Sequence, residues 1–206
     1  MTENRKLVVV LGATGAQVTY HLPSTFHIFS NINVCKGNPV AKYLSYFLSQ
    51  SWHTFRVRAV TRDSTKPSAL ELSSLGAEVV EADFDHEDAL ASALEGAHAI
   101  FCITNFWDKA DYDLEVKQGK LINKLASRLP HLETLIFSSL PDARKMDKGQ
   151  FQNNLPYNAK TDIKEDLKTY PELWEKTVEL GVAYYFQNWV KYTAVFGPVK
   201  VCINCN

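Results

Sequence analysis

The stretch "LVVVLGATGAQVTYHLPSTFHIF", residues 7–29, opens as an aliphatic strand running into a glycine turn and then departs from the pattern it starts. Gly12 permits a tight turn after Leu11, and Gly15 lets backbone N–H groups stand open with no side chain between them and an anion. A third small residue should follow, so that the next helix can lie close on the strand. The chain instead reads Val18, Thr19, Tyr20.

Outward from that turn, apolar runs alternate with helical periods. Strands are expected at Lys6 to Leu11, Phe55 to Val60, Glu78 to Glu81, His98 to Ile103, Thr134 to Ser138 and Val182 to Phe186. "NPVAKYLSYFLSQ" sets Asn38 as N-cap and Pro39 at the first helical position, with Val40, Tyr43, Leu44 and Phe47 at i, i+3, i+4, i+7. "HEDALASALEGA" carries acids in its first turn and ends on Gly96, which suits the helix dipole and a left-handed C-terminal residue. "DLEVKQGKLINKLASRL" is a third helix, stopped by Pro130. Strand and helix in regular succession imply right-handed crossovers and an α/β, doubly wound parallel sheet of the Rossmann type.

Such a sheet binds ligands at the carboxyl ends of its strands, and its first strand-to-helix turn is where a dinucleotide pyrophosphate rests on helix-terminal amides. If residues 18–36 are set aside, "GATGAQ" is followed by "GNPVAKYLSYFL", and Gly37 supplies the missing third glycine. The segment removed, "VTYHLPSTFHIFSNINVCK", has no acidic residue and no clear period. It begins with Val, whose codons start GT, and ends with Lys, one of whose codons ends AG. It is therefore expected to be a retained intron, as is the terminal "VCINCN", residues 201–206. The alternative is a genuine insertion lengthening the loop, which closure entropy tolerates because its cost grows only logarithmically, although apolar insertions at such a turn run against ordinary loop lengths. Residues 1–200 then form one domain interrupted at 18–36, with 201–206 a non-native tail.

The totals fit one soluble domain: 206 residues, 46% hydrophobic, 22% charged. With 22 Lys and Arg against 23 Asp and Glu, no basic excess points to nucleic acid. Leu7 to Leu11 is too short for a signal peptide or a membrane span, so an intracellular protein, cytoplasmic or nuclear, is expected, with no membrane association. Cys202 and Cys205 form C-x-x-C without a second ligand pair, the six histidines are scattered, and no metal site is expected.

With the glycine turn in place, the chain resembles the NmrA-like family, the nitrogen-metabolite-repression regulators among the atypical short-chain dehydrogenases. The resemblance rests on "VVVLGATGAQ", "RVRAVTRD", "AEVVEADFDHEDAL", "AIFCITNFWD", "LIFSSLPDARKMDKGQF", "AKTDIKEDLK" and "YYFQNW". It implies a cofactor, NADP(H) in preference to NAD(H), and a transcription-factor partner. Relatives continue well past this length, so it also implies that the substrate lobe is largely missing.

The resemblance carries dinucleotide binding onto Gly12, Thr14, Gly15, Ala16, Gln17 and Gly37 in the first turn. Arg62 in "TRD" stands where a guanidinium forks onto a 2'-phosphate, with Arg58 and Lys66 as helpers, while Asp63 would accept from a 2'-hydroxyl if Arg62 turned away. Asp83 and Phe84 follow the third strand and lie against the adenine in relatives. Thr104 and Asn105 end the fourth strand toward the nicotinamide half, where they either bond cofactor or cap the next helix. Phe106 and Trp107 either wall the cleft or pack into the core. Ser138 and Ser139 end the fifth strand, where active relatives keep a carbonyl-orienting serine. Phe186 and Asn188 in "YYFQNW" belong to the sixth-strand block.

Catalysis turns on Lys160. Reductases of the wider superfamily place a Tyr four residues before a Lys on one helix face, so that the ammonium lowers the phenol's pKa. No Tyr-x-x-x-Lys occurs here: position 156 is Pro, and Tyr157 lies three residues before Lys160. Lys160 and Tyr157 are the candidate catalytic pair, and Lys160 is expected to bond the nicotinamide ribose without supporting chemistry. The leading expectation is thus a nucleotide-sensing regulator; the alternatives are an NADPH-dependent atypical reductase and an inactive truncated product.

Overall fold

A computed structural model describes residues 5–14, 55–146, 150 and 152–181 of the chain. Among these, six strands form one parallel sheet: β1 (Lys6–Leu11), β2 (Phe55–Thr61), β3 (Glu78–Glu81), β4 (Ala97–Cys102), β5 (Thr134–Ser139) and β6 (Thr177–Gly181), in the order β3-β2-β1-β4-β5-β6. The helices between them are α1 (Pro67–Ser74), α2 (Glu87–Leu94), α3 (Tyr112–Ala126), α4 (Ala143–Met146), α5 (Leu155–Leu167) and α6 (Pro171–Glu175). The doubly wound α/β reading of the sequence is the observed architecture.

β1 shows why the sheet is two-sided. Leu7, Val9 and Leu11 point into a core shared with Leu90, Leu94, Ile122 and Ile163 of α2, α3 and α5. Val8 and Val10 point the other way, into a core with Val57, Leu72 of α1, Phe101 and Ile136. A strand apolar at every position from Leu7 to Leu11 belongs in the middle of a parallel sheet, and β1 pairs with β2 from Lys6↔Phe55 to Leu11↔Val60 and with β4 on its other side.

The helix boundaries follow local chemistry. Asp111 caps α3 by accepting from the Leu114 N–H at 3.0 Å, and α2 opens with Glu87 and Asp88 and is followed by Gly96 at φ +74°. α3 ends at Ala126, ahead of Pro130, where the Ser127 hydroxyl donates to the Lys124 carbonyl at 2.8 Å. α3 and α5 pack closely because Gly119 has no side chain: a Cβ there would stand 2.5 Å from Ile163. The Asn123 amide ties the same helices together, donating to the Ile163 carbonyl at 3.1 Å and to Asp166 at 2.9 Å.

β6 lies earlier than its expected place. Thr177–Gly181 pairs with β5 from Leu135↔Thr177 to Ser139↔Gly181, whereas Val182 to Phe186, where the sequence places the strand, falls outside the described residues.

Candidate functional site at the carboxyl edge of the sheet

Strand order reverses at β1: β2 and β3 lie to one side of it, β4 to β6 to the other. α1, after β2, packs on one face and α3, after β4, on the other, and the crevice beyond the carboxyl ends of β1 and β4 is where an open α/β sheet takes a ligand.

The turn after β1 is built for close approach. Gly12 has φ +67°, and a Cβ on it would stand 3.5 Å from the Ile103 carbonyl oxygen. The Ala13 N–H donates to the Val60 carbonyl at 3.1 Å, and the Thr14 hydroxyl lies 3.3 Å from that of Thr61. Gly15, Ala16, Gln17 and Gly37 lie outside the described residues, as do Phe186 and Asn188.

At the end of β2, Arg62 forks onto Asp108, Nη1 to Oδ2 at 2.5 Å and Nη2 to Oδ1 at 2.8 Å. The bonded guanidinium holds the Asp108 carboxyl below the usual range, and Asp108 in turn holds Arg62 protonated. Asp63 is turned to Thr65, accepting from its N–H at 2.9 Å and its hydroxyl at 2.6 Å, and these bonds lower its pKa. Arg58, named with Arg62 as a helper, is aimed elsewhere. Its guanidinium donates to the Ala93 and Glu95 carbonyls at 3.0 Å each, closing the end of α2, and pairs with Glu78 at 3.1 Å. A notch of about 350 Å³ lined by Arg58, Glu78, Val80, Ser92 and Glu95 opens beside it. It lies toward the amino edge of the sheet, where Arg58 and Glu78 already pair with each other, and takes no part in the crevice.

Beyond β3, Asp83 accepts from the Asp85 N–H at 3.2 Å and Phe84 packs half-buried on the core. Beyond β4, Asn105 caps a short 3-10 turn, Phe106–Asp108, accepting from the Trp107 N–H at 3.2 Å. Phe106 is buried while Trp107 is 77% exposed. Ser138 is buried at the end of β5, and the Ser139 hydroxyl donates to Glu179 at 3.0 Å.

Lys160 is the most constrained of the candidates. It is 6% exposed on α5, and so is no solvated helix lysine. Its ammonium donates to the Thr104 carbonyl and hydroxyl oxygens at 2.6 Å each and lies 3.2 Å from Oε1 of Glu115, itself 2% exposed on α3. The Thr104 hydroxyl donates to the same Glu115 oxygen at 2.6 Å. Burial pulls the Lys160 pKa down and the Glu115 carboxylate opposes that pull. The Phe137 ring centroid lies 5.9 Å from the ammonium, and burial pushes the neighbouring Cys102 thiol up to about 12, which leaves it unreactive. Tyr157 sits half-buried in the first turn of α5. Glu115 escaped the sequence reading because an acid in a first helical turn already has a sufficient explanation in the helix dipole.

The described edge fits a dinucleotide: a glycine turn at the switch point, short hydroxyl side chains at the ends of β1, β2 and β4, and an arginine fork at the end of β2. Among the described residues no helix is long and apolar enough to cross a membrane.

Comparison with known proteins places this geometry. The sequence profile of the NmrA-like family matches residues 37–196. The NmrA-like family domain-containing oxidoreductase notA' of Aspergillus versicolor is 31% identical over 152 residues, 71% of this chain and 36% of that protein. The similarly named ptmS of Penicillium ochrochloron is 29% identical over 198 residues, 92% of this chain and 50% of its own. The chain thus spans half or less of the length of these relatives. Among solved structures, NmrA, described as a negative transcriptional regulator, superposes with a TM-score of 0.61 at 17% identity, covering 89% of this chain and 47% of NmrA. NmrA is also known in complex with NAD and with NADP. The triphenylmethane reductase of Citrobacter sp., complexed with NADP(H), gives a TM-score of 0.58 at 16% identity over 92% of this chain and 55% of its own.

Proposed function

The chain belongs to the NmrA-like family, and from that premise we propose that it binds NAD(P)(H) at the carboxyl edge of β1, β2 and β4 and works as a nucleotide-sensing regulator through a protein partner, without efficient turnover. The output is negative regulation of transcription, by analogy with the regulator whose fold it shares. Gly12 and Thr14, with Gly15, Ala16, Gln17 and Gly37, form the pyrophosphate turn. Asp83 and Phe84 flank the adenine, Arg62 favours a 2'-phosphate and so NADP(H), and Thr104, Asn105, Phe186 and Asn188 line the nicotinamide side.

A bound dinucleotide supplies hydride chemistry at its nicotinamide; whether this chain uses it depends on a proton donor. The observation that carries the proposal is the engagement of Lys160. An ammonium has three protons to donate, and those of Lys160 face two oxygens of Thr104 and one of Glu115. It is therefore not presented to the Tyr157 phenol, and the Tyr-x-x-x-Lys register is absent from the sequence. In this arrangement Lys160 fixes the end of β4, against which the nicotinamide half rests.

A second reading, an NADPH-dependent reductase, is favoured by the oxidoreductase names of the relatives and by the burial-lowered pKa of Lys160, a property of lysines that move protons. Titration of NADPH and NADH, with assay of NADPH oxidation against quinones, carbonyls and imines, separates the two. Binding without turnover is expected. Turnover that disappears in Lys160→Ala or Tyr157→Phe would establish the reductase.

A further inference from the structure

The ion pair between Arg62 and Asp108 crosses the crevice. Arg62 follows β2 and Asp108 follows β4, and these are the two strands that flank β1. β1 and the Gly12 turn at its end, the place a dinucleotide must reach, lie between those two strands.

Resting on the dinucleotide reading above, we propose that Asp108 is a specificity-determining residue, an internal competitor that occupies the Arg62 fork and lowers the preference for NADP over NAD. The geometry is that of phosphate recognition with a carboxylate in the phosphate's place. One N–H of each terminal guanidinium nitrogen, the pair that would grip a 2'-phosphate end-on, is spent on the two Asp108 oxygens at 2.5 and 2.8 Å. An NADP molecule that takes this fork must displace Asp108 and leave that carboxylate beside a newly arrived negative group. NAD, which lacks the 2'-phosphate, has no need of the fork. Asp83 and Asp85 also face Arg62 electrostatically, yet neither bonds to it, so the competition is assigned to Asp108.

Exposure sets the scale. The Arg62 side chain is 51% exposed and that of Asp108 31%, and ion pairs in such surroundings shift equilibria by a few fold.

The test compares dissociation constants of NADP and NAD for the full chain, for Asp108→Asn, for Arg62→Gln and for the double variant. Asp108→Asn should tighten NADP about three- to fivefold while moving NAD less than about twofold. Arg62→Gln should remove the NADP preference, and adding Asp108→Asn to it should not restore any. That last comparison separates competition for Arg62 from the general benefit of deleting a negative charge, which would persist without Arg62. An unchanged NADP-to-NAD ratio in Asp108→Asn, or an equal gain in the Arg62→Gln background, overturns the role of Asp108 and leaves dinucleotide binding standing. If the full chain binds neither dinucleotide, the functional reading fails and the role of Asp108 fails with it.

Discussion

The Lys160 ammonium and the Glu115 carboxylate lie 3.2 Å apart with both residues almost wholly out of water, joining α5 to α3 beneath the end of β4. Taking either charge out of water is costly, so the pair is sustained by mutual attraction together with the bonds to Thr104. Removing one partner strands the other. Lys160→Met or Glu115→Ala should each cost about 3–5 kcal/mol of stability. Lys160→Met with Glu115→Leu should recover most of that loss, because two apolar side chains leave no orphaned charge. Denaturant midpoints at constant slope measure all three variants, and a double variant no better than the singles would show that the site needs the charges themselves.

Tyr112, Asp162, Arg144 and Asp142 form a second network, at the start of α3 and beside α5. The Tyr112 hydroxyl donates to Asp162, and Arg144 donates to Asp162 at 2.8 Å and to Asp142 at 3.1 Å. The bond to Asp162, then burial, raises the Tyr112 pKa to about 12 from 10.0. A phenol raised in the folded state contributes stability that is whole below its unfolded value and is lost as pH climbs through the folded one. Stability should therefore fall between about pH 10 and 12. Burial pushes the Asp142 and Asp162 carboxyls up, but the bonds from Arg144, joined at Asp162 by the bond from Tyr112, outweigh it and leave them depressed. Their contribution is present above the ordinary carboxylate range and fades as pH falls through it and below. Tyr112→Phe should flatten the alkaline limb and shrink the acid limb without abolishing it, because its bond helps depress Asp162 while Arg144 goes on doing so; an unchanged alkaline limb would detach Tyr112 from it.

Gly119 is a point of close approach between α3 and α5. Alanine there would gain up to about 1 kcal/mol of helix propensity but would put a Cβ 2.5 Å from Ile163 near the root of its side chain, which cannot swing aside. Overpacking of this kind costs about 1–3 kcal/mol, so Gly119→Ala should be net destabilising by about 1–2 kcal/mol. Ile163→Ala in the same chain should relieve part of the clash, giving a double variant more stable than additivity predicts. Thermal or chemical denaturation of the four species checks this.

The parts of the fold readable from sequence were those whose signal is local. β1 to β5 carry apolar residues between turn signals, α2 opens on acids, and α3 carries both a cap and acids. β6 reads poorly because it is an edge strand: Thr177, Glu179 and Gly181 make it half polar, and the more apolar "VAYYF" just after it draws the eye. In the site, Gly12, Thr14, Arg62 and Thr104 stand out because each follows a strand. What those side chains touch does not show. The partners of Arg62 and Lys160 lie 46 and 56 residues away, and only the sheet order brings them together.

The opening turn yields the last prediction. Setting residues 18–36 aside brings Gly37 to the third position of the glycine motif, and the family profile begins its match at that residue. A third small residue there lets the helix seat against β1 and aim its terminal amides at the pyrophosphate. If 18–36 is an intervening segment, deleting it should tighten NADPH binding by about tenfold or more, the equivalent of about one charge-assisted bond, without lowering the denaturation midpoint. If it is a genuine insertion, the closure cost it adds is small and the deletion should weaken binding or unfold the turn. Parallel NADPH titrations of the two chains decide between these outcomes, and sequencing of the mature transcript across codons 17 to 37 gives an independent answer. Equal affinities with the segment present in the transcript would retire the intron reading and leave the lengthened loop as part of the working protein.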